Sequence, residues 1–572
     1  MKKPLNTIRR VAAASLALAL AIPAAVAGAS EPLPSPAAGQ PASQIQPAKP
    51  AASVEADKLV PLRDYSETAG AAVLWHDEDL SVTVKRGQTE IRVKIGEAAI
   101  TVNGKAVTLD KPVEIVNEKT VLPLGVLADA LGIHAGWNEE THTIVIAQDD
   151  YALLASAFMS ALQAGELQKA RSFFTDKLPP QALELMLPQM KGSIANTYGP
   201  LGALLAVEES SNAVHHNATI AYATQAIPFE ITIRFDQTGK IDDFFVPYYS
   251  IEGSYVEPSY DDPSKYVEKE VVVGEGTFAL PGTLTMPVGK GPFPAVVLVH
   301  GSGPNDRDET AGSVKTFRDM AVGLAAQGVA VLRYEKITRE HVMKMQLGQL
   351  GQAYTVNEET VKDAVSAVKL LKQTEGINPS QIYVAGHSQG GMVMPRIIDA
   401  AKDTGLAGTI LLAAPTEPLE TLLVKQTKYQ LDLLNKAGQP TETAEQQLIF
   451  LEQQVKLLQD PQYSVSNIPQ AFAMGSPVWW FDIRNTYAAE QAKDQTGRML
   501  VLQGGNDIQV FPDSLDTWKK TLSARTDVEY KLYPKVNHTM VEFEGQSTGA
   551  EYAIPANVPD YIITDIAKWI LR

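Results

Sequence analysis

From about residue 258 to the C-terminus, this chain predicts an α/β fold: a mostly parallel sheet covered by helices on both faces. Three observations predict it. Short, nearly unbroken apolar runs recur, among them "PAVVLVH", "VAVLRY", "IYVAGH", "GTILLAA" and "RMLVLQGG". Helical patterns such as "FRDMAVGLAAQG" and "NEETVKDAVSAVKLLKQT" alternate with them. Strands buried on both faces carry such runs, and the helices between them serve as crossovers. The third observation is a serine wedged among small residues at "QIYVAGHSQGG", residues 381–391, directly after one of the strands. Ligands of such sheets bind beyond the carboxyl ends of the strands, and the serine falls there.

The whole chain has 572 residues, which suggests about three or four domains. A net charge of −17 argues against nucleic acid or an anionic membrane as partner. With 0 cysteines, disulfides, thiolate metal sites and a cysteine nucleophile are all excluded.

At the N-terminus Lys2, Lys3, Arg9 and Arg10 precede an alanine-rich apolar run. This predicts a removable signal peptide over 1–29, with small residues at "AVA" or "AGA" for the peptidase. A retained anchor is the competing reading, disfavoured because the run is short and weakly hydrophobic. Residues 30–55, rich in proline and alanine, read as an extended linker. No later segment has the ~20 apolar residues that span a bilayer.

Residues 80–148 alternate apolar and polar positions, with an Asn103-Gly104 turn between two strands, then one short helix and a closing strand. The stretches "VNGKAV", "VLPLGVLADALG" and "GWNEETHTIVI" resemble the stalk domain named after the N-terminus of copper amine oxidases, found on Gram-positive surface proteins. Gly125 departs from the arginine usual there. His134 and His142 lack metal-ligand spacing and read as surface residues. Residues 151–250 run from helical patterns to strand patterns, a small α+β domain resembling one of unknown function that precedes secreted hydrolases. His215 and His216 are adjacent, so on a strand they would face opposite sides; both are expected at the surface.

Gly386-His387-Ser388-Gln389-Gly390 has the G-x-S-x-G pattern of a nucleophile elbow, placed between a strand and a helical run. A serine that merely caps the helix is the alternative. A serine hydroxyl needs a neighbouring base. His538, in "YPKVNH", is the only histidine downstream of Ser388. Of the downstream aspartates, Asp507 is favoured as the acid because it follows an apolar strand and its glycine turn, with Asp513 the fallback. The oxyanion is expected to meet the backbone amides of Gln389 and of Ser302, with Gly301 as the alternative to Ser302. His300 is expected to fix its loop.

Together "HGSGPNDRDE", "GHSQGG", "LQGGNDIQV" and "YPKVNH" resemble the α/β-hydrolase superfamily, in particular secreted bacterial esterases related to dienelactone hydrolases. The resemblance covers about 266–572 and implies an esterase with the triad Ser388, Asp507 and His538. Glu335 departs from the aspartate usual in "VLRYEK".

Residues 416–495 exceed what one crossover needs. Two long amphipathic helices followed by "SPVWWFDIRN" predict a cap over the serine. Trp479, Trp480 and Phe481 either line an acyl pocket or pack the cap onto the core.

The expectation is a secreted or cell-surface serine hydrolase that cleaves small-molecule carboxylic esters without metal or organic cofactor. A peptidase or another acyl-transfer enzyme with the same triad remains open. So does a surface-binding protein whose hydrolase domain is idle, its N-terminal domains holding cell wall or polymer.

Overall fold

The computed structural model describes residues 56–133, 135–138, 140, 143–225, 227–247, 254–347 and 354–572. The expected signal peptide and linker, together with His134 and His142, lie outside the described residues. The described residues form two compact units, one ending at Pro247 and the other running to Arg572.

In the first unit a short strand, Leu59–Pro61, and a helix, Leu62–Thr68, precede a five-stranded antiparallel meander: Ala72–His76, Ser81–Arg86, Thr89–Lys94, Ala99–Val102 and Lys105–Thr108. Asn103 and Gly104 turn its last hairpin at φ 50° and 76°, the left-handed pair that such a turn requires. Its apolar core extends N-terminally of Leu80, because Val60, Leu62 and Tyr65 are buried with Val84, Ile91 and Leu127. Helix Tyr151–Ala164 follows. Asp150 caps it by accepting the Leu153 amide at 2.9 Å, and left-handed Gly165 ends it. Further helices lead to a four-stranded antiparallel sheet of Leu204–Ser211, His216–Tyr222, Phe229–Phe235 and Ile241–Phe245.

One expectation fails here. His215 is buried at 1% exposure, and its Nε2 lies 2.9 Å from Asp242 Oδ2. The expectation that fails is the surface one; the strand starts at His216, one residue later. His215 closes the turn before it, where its carbonyl accepts the Asn212 amide, and so it points inward. His216 is half-buried and stacks on Tyr151.

Eight strands of the second unit build its main sheet: β1 (Tyr266–Val273), β2 (Leu280–Pro287), β3 (Phe293–Val299), β4 (Ala330–Tyr334), β5 (Ile377–His387), β6 (Gly408–Leu412), β7 (Met499–Gly504) and β8 (Val528–Tyr533). They form one sheet in the order β1-β2-β4-β3-β5-β6-β7-β8. Only the pairs made by β2 are antiparallel.

Alternate residues of each strand feed two cores. Val296 and Leu298 of β3 pack with α1 (Thr316–Ala326) through Phe317 and Met320. Ala295, Val297 and Val299 pack on the other face with α2 (Lys362–Gln373). That helix buries Ala364, Ala367, Val368 and Leu371, the i, i+3, i+4, i+7 stripe of an amphipathic helix.

Between β6 and β7 the chain inserts α3 (Leu419–Lys436), α4 (Glu442–Gln459) and α5 (Pro477–Ile483). Their buried Leu422, Leu451, Trp479 and Trp480 join the same core as α2. This is the expected α/β-hydrolase fold with a helical insertion. It stacks the carboxyl ends of β3, β5, β6, β7 and β8 along one edge of the sheet.

Candidate active site

β5 ends at His387, and Ser388 follows at φ 50°, ψ −117°. A side chain in that region costs on the order of 1–3 kcal/mol, which the surroundings must over-determine. They do so by backbone crowding. A Cβ at Gly386 would stand 2.4 Å from the Gly390 carbonyl oxygen, and one at Gly390 would stand 2.5 Å from that of Val299. Only glycine lets strand and helix cross so closely. The Ser388 amide donates to Leu412 of β6 at 2.9 Å, which fixes the elbow to the sheet.

His538 lies in the loop after β8, and its Nδ1 is 2.8 Å from Asp507 Oδ2. Asp507 follows β7 and is 3% exposed. Its Oδ1 accepts the amides of Gln509 and Val510 at 2.8 and 2.9 Å, and Gln503 Nε2 reaches Oδ2 at 3.3 Å. Every lone pair facing the protein is therefore used, and the carboxylate can only turn with its loop. With Nδ1 donating to Asp507, Nε2 of His538 is left as the basic nitrogen. Asp513, the fallback acid, opens helix Asp513–Thr521 instead, 69% exposed and paired with Lys425 at 3.1 Å.

The loop after β3 carries His300, Gly301 and Ser302. A Cβ on Gly301 would meet Ser388 Cβ at 3.1 Å, so this loop lies against the elbow. The Gly301 amide donates to Glu309 Oε1 at 2.6 Å, which removes it as an oxyanion donor. Among the described residues the Ser302 amide has no internal acceptor. His300 is buried against Phe317 and Tyr334, and burial pushes its imidazole down to about 4, keeping it neutral.

A second carboxylate–imidazole pair stands beside the first. His387 Nδ1 is 3.0 Å from Glu309 Oε2, an oblique approach carried by charge attraction rather than by an aligned hydrogen bond. Its Nε2 donates to the His538 carbonyl at 2.8 Å. The two imidazole rings are 4.7 Å apart. Burial disfavours the charged His387 ring, but Glu309 and the carbonyl outweigh it, so the net shift is upward. Glu309 moves the other way: burial opposes its charge, and His387 draws its carboxyl below the usual range.

Two further buried residues complete the surroundings. Lys336 Nζ donates to the Gly301 carbonyl at 2.7 Å and pairs with Glu359 Oε1 at 2.8 Å. Glu359 Oε2 accepts from Trp479 Nε1 and, at 3.4 Å, from Gln389 Nε2. Trp479 and Trp480 are each 8% exposed and meet edge to face, so they join the insertion to the core within reach of the elbow.

Sequence reasoning singled out Ser388, His538 and Asp507, of which the structure pairs the last two and sets Ser388 at the turn after β5. It missed Glu309, His387, Lys336 and Glu359. Only Glu309 had a signal, its place in the loop after β3.

Comparison with known proteins adds the following. Residues 42–146 match the family described as copper amine oxidase N-terminal domain, and 291–546 the family described as serine aminopeptidase, S33. Among the described residues no group of three histidine, aspartate or glutamate side chains converges as metal ligands. Over 358 residues the chain is 38% identical to Esterase EstD of Thermotoga maritima, covering 62% of this chain and 79% of that protein. Among solved structures, an esterase of Pyrococcus furiosus aligns at 15% identity and TM-score 0.35, over 57% of this chain and 99% of its own. Est1E from Butyrivibrio proteoclasticus aligns at 14% and TM-score 0.33, over 53% and 97%.

Proposed function

The chain belongs to the α/β-hydrolase family of esterases that includes Esterase EstD, and from that premise we propose that it is a secreted serine hydrolase cleaving carboxylic esters through an acyl-enzyme on Ser388. One observation carries the reading: the 2.8 Å Asp507–His538 pair and the strained Ser388 elbow share the same edge of the sheet.

In this mechanism His538 Nε2 takes the Ser388 Oγ proton as Oγ bonds to the ester carbonyl carbon. The negative charge on the carbonyl oxygen is met by the amides of Ser302 and Gln389. The tetrahedral intermediate collapses, the C–O bond to the alcohol breaks, and His538 returns its proton to the leaving oxygen. Water then repeats the sequence on the acyl-enzyme, releasing the acid and restoring Ser388. Asp507 holds the ring in one tautomer and stabilises the imidazolium without taking its proton. Secretion is supported by the basic start and alanine-rich run of residues 1–29.

A fluorophosphonate probe should label wild type and not Ser388→Ala, and only wild type should hydrolyse a series of p-nitrophenyl esters. Equal hydrolysis by both would end this reading. The serine aminopeptidase match favours a second one, peptide-bond cleavage. Turnover of amino-acid p-nitroanilides at a kcat/KM above that for the esters would select it. Mass analysis of the mature N-terminus tests removal of the leader.

A further inference from the structure

Taking Ser388 as the nucleophile, we propose that Lys336 is a positioning residue of the oxyanion hole: its buried ammonium orients and polarises the Gly301–Ser302 peptide, and Glu359 ties that ammonium to the inserted helices.

The peptide bond is planar and trans, so the Gly301 carbonyl and the Ser302 N–H belong to one rigid plane and point in opposite directions. Whatever holds the oxygen therefore aims the N–H. Lys336 Nζ holds it at 2.7 Å, and Asn305 Nδ2 adds a second bond at 3.1 Å. The preceding amide is fixed as well, by Glu309. A positive charge on the carbonyl oxygen also draws electron density from the nitrogen, which makes the Ser302 N–H the stronger donor.

Burying an ammonium is costly unless it is paired and hydrogen-bonded. Lys336 is 2% exposed, and Glu359 meets that cost at 2.8 Å. Glu359 lies in a π turn, Asn357–Val361, that opens α2; such turns widen a helix and recur at functional sites. Its second oxygen takes Trp479 Nε1 from α5 and the side chain of Gln389, whose amide is the other proposed donor. One carboxylate thus joins the insertion, the elbow and, through Lys336, the loop after β3.

The test uses the full chain and active-site titration of Ser388. In Lys336→Met, kcat on a p-nitrophenyl ester should fall about tenfold to a hundredfold while KM stays within about threefold. Affinity for an aryl trifluoromethyl ketone, which forms an oxyanion on Ser388, should fall by the same factor. Lys336→Gln keeps a neutral donor and should lose less. A purely structural pair predicts a lower thermal midpoint with unchanged kcat per titrated site. That pattern in Lys336→Met, or in Lys336→Gln should the first not fold, overturns the proposal. Unchanged variants beside a wild type that labels with fluorophosphonate sink this inference alone; a wild type that does not label sinks the Ser388 reading with it.

Discussion

Two carboxylate–imidazole pairs stand side by side in this site, Asp507–His538 and Glu309–His387, with ring centroids 4.7 Å apart. They use the same chemistry to different ends. His538 spends one nitrogen on its acid and keeps the other. His387 spends both, one against Glu309 and one on the His538 carbonyl. An imidazole with a spare nitrogen can accept a proton from a substrate-side group. One flanked by two acceptors is held more readily in its charged form and braces the segments around it. Proximity to Ser388 does not distinguish them, since His387 is its chain neighbour. The count of unspent nitrogens does.

The largest effect that could break this comparison is a swap of the two acids' roles. Asp507→Asn should lower kcat about 10⁴-fold with the fold intact, because the ring is then held in the wrong tautomer. Glu309→Gln should cost no more than about a hundredfold, accompanied by a lower unfolding midpoint. Steady-state kinetics beside urea titrations would read both, and a reversed ranking would exchange the strut and the catalytic dyad.

A smaller effect is expected in the pH dependence of stability. His387 is charged more readily in the fold than in the unfolded chain. Its contribution is complete below about pH 6.5 and is lost as pH rises through its raised folded value. Glu309 is depressed, so its contribution is present above about pH 4.5 and is lost as pH falls through its folded value. Urea midpoints of wild type should therefore decline between pH 6 and 9 more steeply than those of a Glu309→Gln/His387→Gln double variant. Parallel slopes would place the proton elsewhere. The smallest effect belongs to Asp513→Asn. Its pair with Lys425 is solvent-exposed and worth ~0–1 kcal/mol, so kcat should stay within about twofold.

What could be read in advance was local. "VAGHSQGG" carries part of its own geometry, because the crowding of Gly386 against Gly390 is a short-range effect, whereas that of Gly390 against Val299 is set by the fold. Asp507 and His538 were legible because each follows an apolar run by a few residues. The second pair was not, since His387 reaches a carbonyl 151 residues away. Lys336 and Glu359 look in sequence like any solvated charges, and only the fold buries them against each other. His215 shows a further failure, since its expected place at the surface gives way to burial against Asp242, 27 residues on.

The insertion leaves β6 and returns on β7, two strands hydrogen-bonded side by side in parallel. A block whose ends are anchored on neighbouring rungs can be exchanged for another without shifting the register of either. Enzyme engineers could thus graft foreign segments here without rebuilding the sheet. Each graft would have to supply a donor in place of the Trp479 indole, or Glu359 Oε2 would keep only the 3.4 Å contact from Gln389.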